Sequence, residues 1–272
     1  MNLLGPIFKK DFIVKNLLKG SFDLHIIDKC NLHCKACVVL DYLESGLVTN
    51  DRYSLDDVKE VIFNLQRLDL RLEELKILGG EPTIHNQLDE IIDYLKDTDL
   101  FDTLTLVTNG LNFTDDVIKS LLKLDKLIIS IYPLEENLEE ILKKSSLYNY
   151  LLSKIDVDFW HQNSFQRYGV KQSNLEYSTE LNWKRCYQKD DCRVLTKKYL
   201  YRCTITYSEK KDMCTWEDRQ EVMDFIESDN PLDHCKDCPY PPLEMRWTSN
   251  NLPIDEKNLY RGINLINEYT TI

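Results

Sequence analysis

The sequence predicts an α/β fold: a parallel sheet with helices between its strands, closing as a partial (β/α) barrel, with a small C-terminal α+β unit appended. Three observations carry this. Short apolar runs of strand type alternate with amphipathic stretches of helical period through the first half of the 272 residues, and that alternation is the pattern of a parallel sheet. The apolar runs end in polar or glycine-containing turns, the end of a barrel strand where sites are assembled. After about residue 150 the helical period weakens, and all four tryptophans and six of the nine cysteines lie beyond residue 158.

The elements follow in order. Residues 1–20 read as an N-terminal extension, an entry helix or strand packing on the barrel. They lack a basic segment before their short apolar stretch and are interrupted by Lys9, Lys10 and Asp11, so no secretory signal is expected. Phe22 to Ile27 is the first strand, and Leu75 to Leu78, Leu104 to Val107 and Leu127 to Ile131 are further strands. Ser54 is a candidate N-cap for a helix whose apolar stripe is Val58, Val61, Ile62 and Leu65. Leu88, Ile91, Ile92 and Leu95 repeat the stripe, as Val117, Leu121, Leu122 and Leu124 do approximately. The barrel is expected over residues 21–175 and the second unit over residues 176–272.

Cys30, Cys34 and Cys37 form a Cys-x3-Cys-x2-Cys run directly after the first strand. Three thiolates on one short loop can hold three corners of a cubane iron–sulfur cluster and leave the fourth iron free for a small molecule. Structural zinc wants four ligands, commonly as two separated pairs, and a thioredoxin-like Cys-x-x-Cys gives Cys30 no role. Zinc or buried inert thiols are the competing readings. Two glycines, Gly79 and Gly80, close the second strand and permit a close backbone approach to a ligand, beside which Glu81 could meet a cationic amine. Alone, Gly79-Gly80-Glu81-Pro82 is equally an ordinary turn.

Together with Thr108-Asn109-Gly110, these motifs make residues 20 to 135 resemble the radical S-adenosylmethionine (radical SAM) superfamily, whose barrels are of the TIM type. The resemblance implies a [4Fe-4S] cluster on Cys30, Cys34 and Cys37, with the open iron chelated by the amino and carboxylate groups of SAM. It further implies that reductive cleavage of SAM yields a 5′-deoxyadenosyl radical. Gly79, Gly80, Glu81 and Pro82 would form the SAM amino-group site, and Asn109 and Ser130 would contact the ribose or carboxylate; a turn asparagine and a strand serine are the plain alternatives. Ala36 departs from the family, where the position before the third cysteine is often aromatic.

Six cysteines remain: Cys186, Cys192, Cys203, Cys214, Cys235 and Cys238. An odd total of thiols in a chain expected to be cytoplasmic is not a disulfide framework, so metal binding is the better account. Residues 195–203 read as a tight hairpin with Cys203 on its second strand, and Cys235-Lys236-Asp237-Cys238 is a paired-ligand loop after an amphipathic segment from Glu217 to Ile226. This resembles the twitch module, a relative of the SPASM domain, and implies an auxiliary [4Fe-4S] cluster on Cys186, Cys203, Cys235 and Cys238. Lys198 stands where the family hairpin carries glycine. Structural zinc on the same thiols is the alternative. Cys192 and Cys214 are unassigned: buried thiols by default, with Cys192 a spare ligand and Cys214 a candidate catalytic hydrogen-atom donor of the kind radical epimerases use. The histidines show no metal-ligand spacing and are expected in loop or core roles.

A formal net charge of −12 disfavours a nucleic-acid partner. No run of about eighteen apolar residues is present, so no membrane span is expected. The acid-then-base run from Glu135 to Lys144 reads as a solvated helix face. The resulting expectation is a radical SAM enzyme of oxidoreductase or epimerase type acting on a small hydroxylated metabolite such as a sugar or aminocyclitol, with flavodoxin or ferredoxin as reductant. The first cysteine at position 30 leaves no separate peptide-recognition domain ahead of the barrel. Modification of a ribosomally made peptide is the alternative, and a non-catalytic electron-transfer protein, which needs no SAM-binding loop, is the third reading.

Overall fold

The computed structural model describes residues 16–32, 34, 37, 53–133, 138–162, 164–167, 179–186, 188–209, 211–238 and 243–246. Five strands run parallel and in chain order: β1 (Leu17–Ile27), β2 (Arg71–Gly79), β3 (Phe101–Thr108), β4 (Lys126–Ile131) and β5 (Asp156–His161). β6 (Ser164–Arg167) lies outside this sheet and pairs antiparallel with the last described strand. On the other flank of β1, β7 (Arg193–Leu195) pairs parallel and leads by a tight hairpin to β8 (Tyr199–Tyr201) and then β9 (Met213–Thr215). β10 (Leu243–Arg246) is the partner of β6. The main sheet is therefore eight-stranded, in the order β5-β4-β3-β2-β1-β7-β8-β9.

The helices between the first strands are set by capping and by apolar stripes. α1 (Leu55–Arg67) opens with a full capping box: Ser54 Oγ accepts from the Asp57 N–H at 3.2 Å while the Asp57 carboxylate accepts from the Ser54 N–H at 2.8 Å. Val58, Val61, Ile62 and Leu65 are fully buried, as the period requires, and α2 (Leu88–Asp97) buries Leu88, Ile91, Ile92 and Leu95. In and just after α3 (Asp115–Leu121) the expected Leu121 and Leu124 are buried, but Ile118 takes the buried place expected of Val117, and Val117 and Leu122 are only half-buried. These stripes pack on Phe22, Leu24, Ile26, Leu75, Ile77, Leu104, Leu106, Leu127 and Ile129, the outward side chains of β1–β4. Each such side chain, fully buried, stabilises the fold by roughly 1.5–3 kcal/mol.

The opposite, inner face of the sheet is polar. Ser21, Asp23 and His25 of β1 stand in register with Glu74, Lys76 and Leu78 of β2, and Lys76 with Thr105 of β3. Thr105 Oγ1 donates to Glu74 at 2.5 Å, and Lys126 of β4 pairs with Asp158 of β5 at 2.7 Å. The Lys76 ammonium of β2 lies 5.9 Å from the Trp160 ring of β5, three strands further on, as in a curled sheet.

The structure differs from expectation in three ways. β1 begins at Leu17, so residues 17–20 belong to the first strand; residues 1–15 lie outside the described residues, as do Ala36 and residues 135–137 of the charge run. The run's remainder is α4 (Leu138–Lys144), which pairs Lys143 with Glu139 and Lys144 with Glu140 along a solvated face. After α5 (Ser146–Leu152), α6 (Thr179–Arg185) and α7 (Gln188–Asp191), the hairpin forms where expected, but β8 ends at Tyr201 and Cys203 sits just past it, before α8 (Thr204–Glu209). The hairpin strands also continue the main sheet through β1, so both halves of the chain share it. α9 (Arg219–Glu227) is the expected amphipathic segment and buries Val222 and Ile226.

Candidate active site

The site is built where the C-terminal ends of β1, β2, β3 and β4 meet. Gly79 has φ +147°, and a Cβ there would collide with the Ile27 carbonyl; one at Gly80 would collide with the carbonyls of Asp28 and Lys29. Gly80 N–H donates to Ile27 O at 2.6 Å and Glu81 N–H to Lys29 O at 3.0 Å. The close approach that the glycines permit is thus to the chain's own backbone, the segment running into Cys30, and it fixes the root of the cysteine loop.

Glu81 is buried and takes four donors. Its Oε1 accepts from Thr83 N–H at 3.0 Å, Thr83 Oγ1 at 2.6 Å and Thr108 Oγ1 at 2.7 Å, and its Oε2 accepts from Asn109 N–H at 2.7 Å. Burial raises its pKa, and the hydrogen bonds from Asn109, Thr83 and Thr108 oppose the rise. Through Thr108 and Asn109 the Glu81 carboxylate ties the end of β2 to β3, and Oε2, with its single donor, keeps acceptor capacity. Pro82, also buried, opens the 3-10 turn Pro82–Ile84.

Asn109 joins β3 to the cysteine loop. Its Nδ2 donates to Asn31 Oδ1 at 2.6 Å and lies 3.9 Å from Cys30 Sγ, and its Oδ1 accepts from Leu111 N–H at 3.0 Å. Cys30 Sγ also accepts from Leu32 N–H at 3.3 Å, and Cys37 N–H donates to Cys34 O at 3.3 Å. Burial pushes the Cys30 thiol far up, Glu81 adds to this, the Leu32 N–H opposes it, and the Cys37 and Cys34 thiols raise it further. Burial also holds Tyr132 well above the usual phenol range, followed by the charges of Cys34, Cys37, Cys30 and Glu81. All three thiols and Glu81 therefore share one neighbourhood with Tyr132. Ser130 is buried on the inner face of β4, opposite Trp160 of β5.

Among the described residues no three Cys, His, Asp or Glu side chains gather tightly enough to hold a single metal ion. The triplet's fit to an iron–sulfur cluster rests on its donors: three thiols on one loop, whose deprotonation metal binding would drive.

The second set of thiols is linked by mutual electrostatic influence. Cys186 follows α6, Cys235 lies in the 3-10 turn Asp233–Asp237, and Cys238 caps that turn. Asn182 of α6 holds the turn by donating to Cys235 O at 2.9 Å and Cys238 O at 2.7 Å. Burial pushes the Cys203 thiol up to about 12, opposed by the Ile205 N–H and reinforced by Cys186 and Cys238. Burial raises Cys235 to about 11, opposed by the Leu232 N–H and reinforced by the same two cysteines. Lys198, at the family's glycine position, is not among the described non-glycine residues with positive φ, which are Asp69, Asp99 and Asp212. This turn therefore does not require glycine.

The two unassigned thiols separate. Cys214 is on β9 opposite Leu200, packs against the hydrophobic core, and its Sγ lies 3.3 Å from Thr215 O. Cys192 immediately precedes β7, where Val194 is in register with Asp23; two residues before Val194, it falls on the same, inner face. Burial raises its pKa well above the usual range, followed by the charge of Asp23.

His85 fills the loop role expected of it, donating from Nε2 to Tyr53 O at 2.9 Å and accepting from Gln87 N–H at 3.0 Å. His25 is buried instead, on the inner face of β1 against Tyr207, with no hydrogen-bond partner for either ring nitrogen. Asp23, His25, Lys76 and Tyr132 were not singled out from sequence. The signal for the first two lies in Phe22-Asp23-Leu24-His25, since a parallel strand covered on both faces should be continuously apolar.

Residues 24–154 match the family model described as the Radical SAM superfamily. This chain carries a radical SAM domain. A GTP 3′,8-cyclase from Pectobacterium atrosepticum is 30% identical over 94 residues, which is 35% of this chain and 28% of that relative. One from Syntrophomonas wolfei subsp. wolfei is 28% identical over 92 residues, 33% of this chain and 27% of the relative. The chain thus spans under a third of the length of these curated relatives. The fold around the radical SAM domain is similar to the crystal structure of BtrN in complex with AdoMet and 2-DOIA, with TM-score 0.56 and 15% identity, covering 81% of this chain and 85% of that one.

Proposed function

We propose that this chain is a radical SAM enzyme that holds a [4Fe-4S] cluster on Cys30, Cys34 and Cys37, binds SAM over it, and abstracts hydrogen from a small hydroxylated metabolite. The observation that carries this is the cysteine loop anchored between Gly79-Gly80-Glu81 and Asn109, at the C-terminal ends of the parallel strands. When bound, cluster and SAM supply a one-electron cleavage that yields the 5′-deoxyadenosyl radical. The protein's own part is positioning. Glu81 locks β2 to β3, Asn109 locks β3 to the loop, and the buried Ser130 and half-buried Tyr132 at the end of β4 face the same space.

Cys186, Cys203, Cys235 and Cys238 suit an auxiliary cluster of the twitch kind, which could accept an electron from the substrate radical and so favour oxidation. Cys214, on the core side of β9, is the residue on which the epimerase alternative depends. The polar inner face of β1–β3 supports a small polar substrate over a peptide. A barrel that begins with β1, a boundary near residue 175 and a flavodoxin or ferredoxin donor complete the reading. No helix among the described residues is long and apolar enough to cross a membrane.

The test is direct. Anaerobically reconstituted protein should convert SAM to 5′-deoxyadenosine under a strong reductant, and replacing Cys30, Cys34 and Cys37 together by Ala should abolish that conversion. Continued cleavage in the triple variant would sink the assignment.

A further inference from the structure

We infer that Asp23 and His25 form a substrate subsite on the inner face of the barrel, for an amino-bearing polyhydroxylated small molecule of the amino-sugar or aminocyclitol class. This rests on the radical SAM reading above and names the substrate chemistry for it.

Asp23 and His25 are 5% and 7% exposed, and Asp23 Oδ1 and both His25 ring nitrogens are buried without a hydrogen-bond partner. Burying such groups unpaired is costly, so their arrangement is that of a site completed by a ligand. The nearest cation does not complete it. Lys76 Nζ already donates to Ser21 Oγ at 2.6 Å and Asp191 O at 3.3 Å, and it lies 3.8 Å from the Glu74 carboxylate.

The missing partner of Asp23 is a donor, and an ammonium would answer both its hydrogen bonding and its charge. Burial holds the Asp23 carboxyl up at about 7; Lys76 opposes this, while Glu74 and Asp191 reinforce it. The same three carboxylates disfavour an acidic ligand. His25, held neutral by burial, offers one N–H and one lone pair, the complement of a hydroxyl group. Two positions apart on one face of β1, Asp23 and His25 are spaced about 7 Å along the strand, which suits two substituents of one six-membered ring. Cys30 follows the end of β1 by three residues, and that segment is anchored by the Gly80 N–H to Ile27 O and the Glu81 N–H to Lys29 O, so subsite and cysteine loop stand on one strand and its anchored end.

The experiment is calorimetric titration of the full-length, reconstituted protein with three probes: D-glucosamine, D-glucose and D-glucuronate. Glucosamine should bind saturably, glucose about tenfold more weakly, and glucuronate more weakly still. Asp23→Asn should weaken glucosamine about tenfold and erase its advantage over glucose. His25→Gln should weaken both sugars alike, and Asp23→Glu should retain the preference for the amine. Circular dichroism melting of each variant checks the fold. No saturable glucosamine binding, unchanged binding in both Asp23→Asn and His25→Gln, or a preference for glucuronate would overturn the subsite. SAM cleavage on the same samples separates the two claims: sugar binding without SAM cleavage would remove the radical SAM reading and leave the subsite, and the reverse would remove the subsite alone.

Discussion

Glu81 shows what the sequence can and cannot say about one residue. Its place after two glycines marks it as part of a site, yet only the fold reveals that Thr83, Thr108 and Asn109 donate to its oxygens. Asp23 and His25 carry the sharper consequence, because burial moves their titrations in opposite directions. The Asp23 carboxyl is raised from 3.8 to about 7, so between those values the folded chain binds more protons than the unfolded one and stability falls as pH rises. His25 is lowered from 6.5 to about 4, so over that range the unfolded chain binds more protons and stability rises with pH. The two slopes, each at most about 1.4 kcal/mol per pH unit, nearly cancel between them. Lys76, Glu74, Asp191 and Cys192 face Asp23, and the Tyr207 ring faces His25. Denaturant unfolding of Asp23→Asn between pH 5 and 6.5 should therefore show stability rising more steeply with pH than in wild type. His25→Gln should show it falling. Parallel profiles in all three proteins would show that neither group titrates as its burial requires.

At the scale of elements, legibility tracks how local the determining physics is. The α1 cap and stripe are visible in Ser54, Asp57, Val58, Val61, Ile62 and Leu65, because capping and amphipathicity act within a few residues. Ser54→Ala should cost roughly 0.5 kcal/mol, the low end for an N-cap, because Asp57 retains its ion pair to Lys197 at 2.5 Å. Urea unfolding with an unchanged slope would measure it, and no loss at all would mean that Lys197 alone holds the helix start. The burial of Ile118 in place of Val117 in α3 was not legible: both are apolar, and the choice between them is made by the sheet beneath. The attachment of β7 to β1 was equally hidden, since it joins residues some 170 apart through a register of two pairs, Phe22 with Arg193 and Asp23 with Val194. The hairpin itself was legible from residues 195–203, and its continuation of the main sheet was not.

At the scale of the whole molecule, β1 is the common strand: β2 and the barrel lie on one side, and β7 with the hairpin leading to Cys203 on the other. The cysteine triplet stands at its end, and the second thiol set assembles from α6, the residues after β8 and the turn at Asp233–Asp237. The two sets draw on different loops. Asn182 fixes the second by hydrogen bonds to Cys235 and Cys238, whereas Asn109 and Asn31 fix the first. Losing one set should consequently leave the other loaded. Reconstituted wild type should hold about eight irons per chain, the sum of two cubanes, and the Cys30/Cys34/Cys37→Ala variant about four, as measured by iron and sulfide analysis. Zinc near one equivalent beside about four irons in wild type would instead make Cys186, Cys203, Cys235 and Cys238 a structural zinc site. An iron-free triple variant that still melts cooperatively would mean that the second set holds no cluster of its own. Asn182→Ala refines the point: it frees the carbonyls of Cys235 and Cys238 without touching a thiol, so it should lower the iron retained by the triple variant while leaving SAM cleavage in an otherwise wild-type chain largely intact.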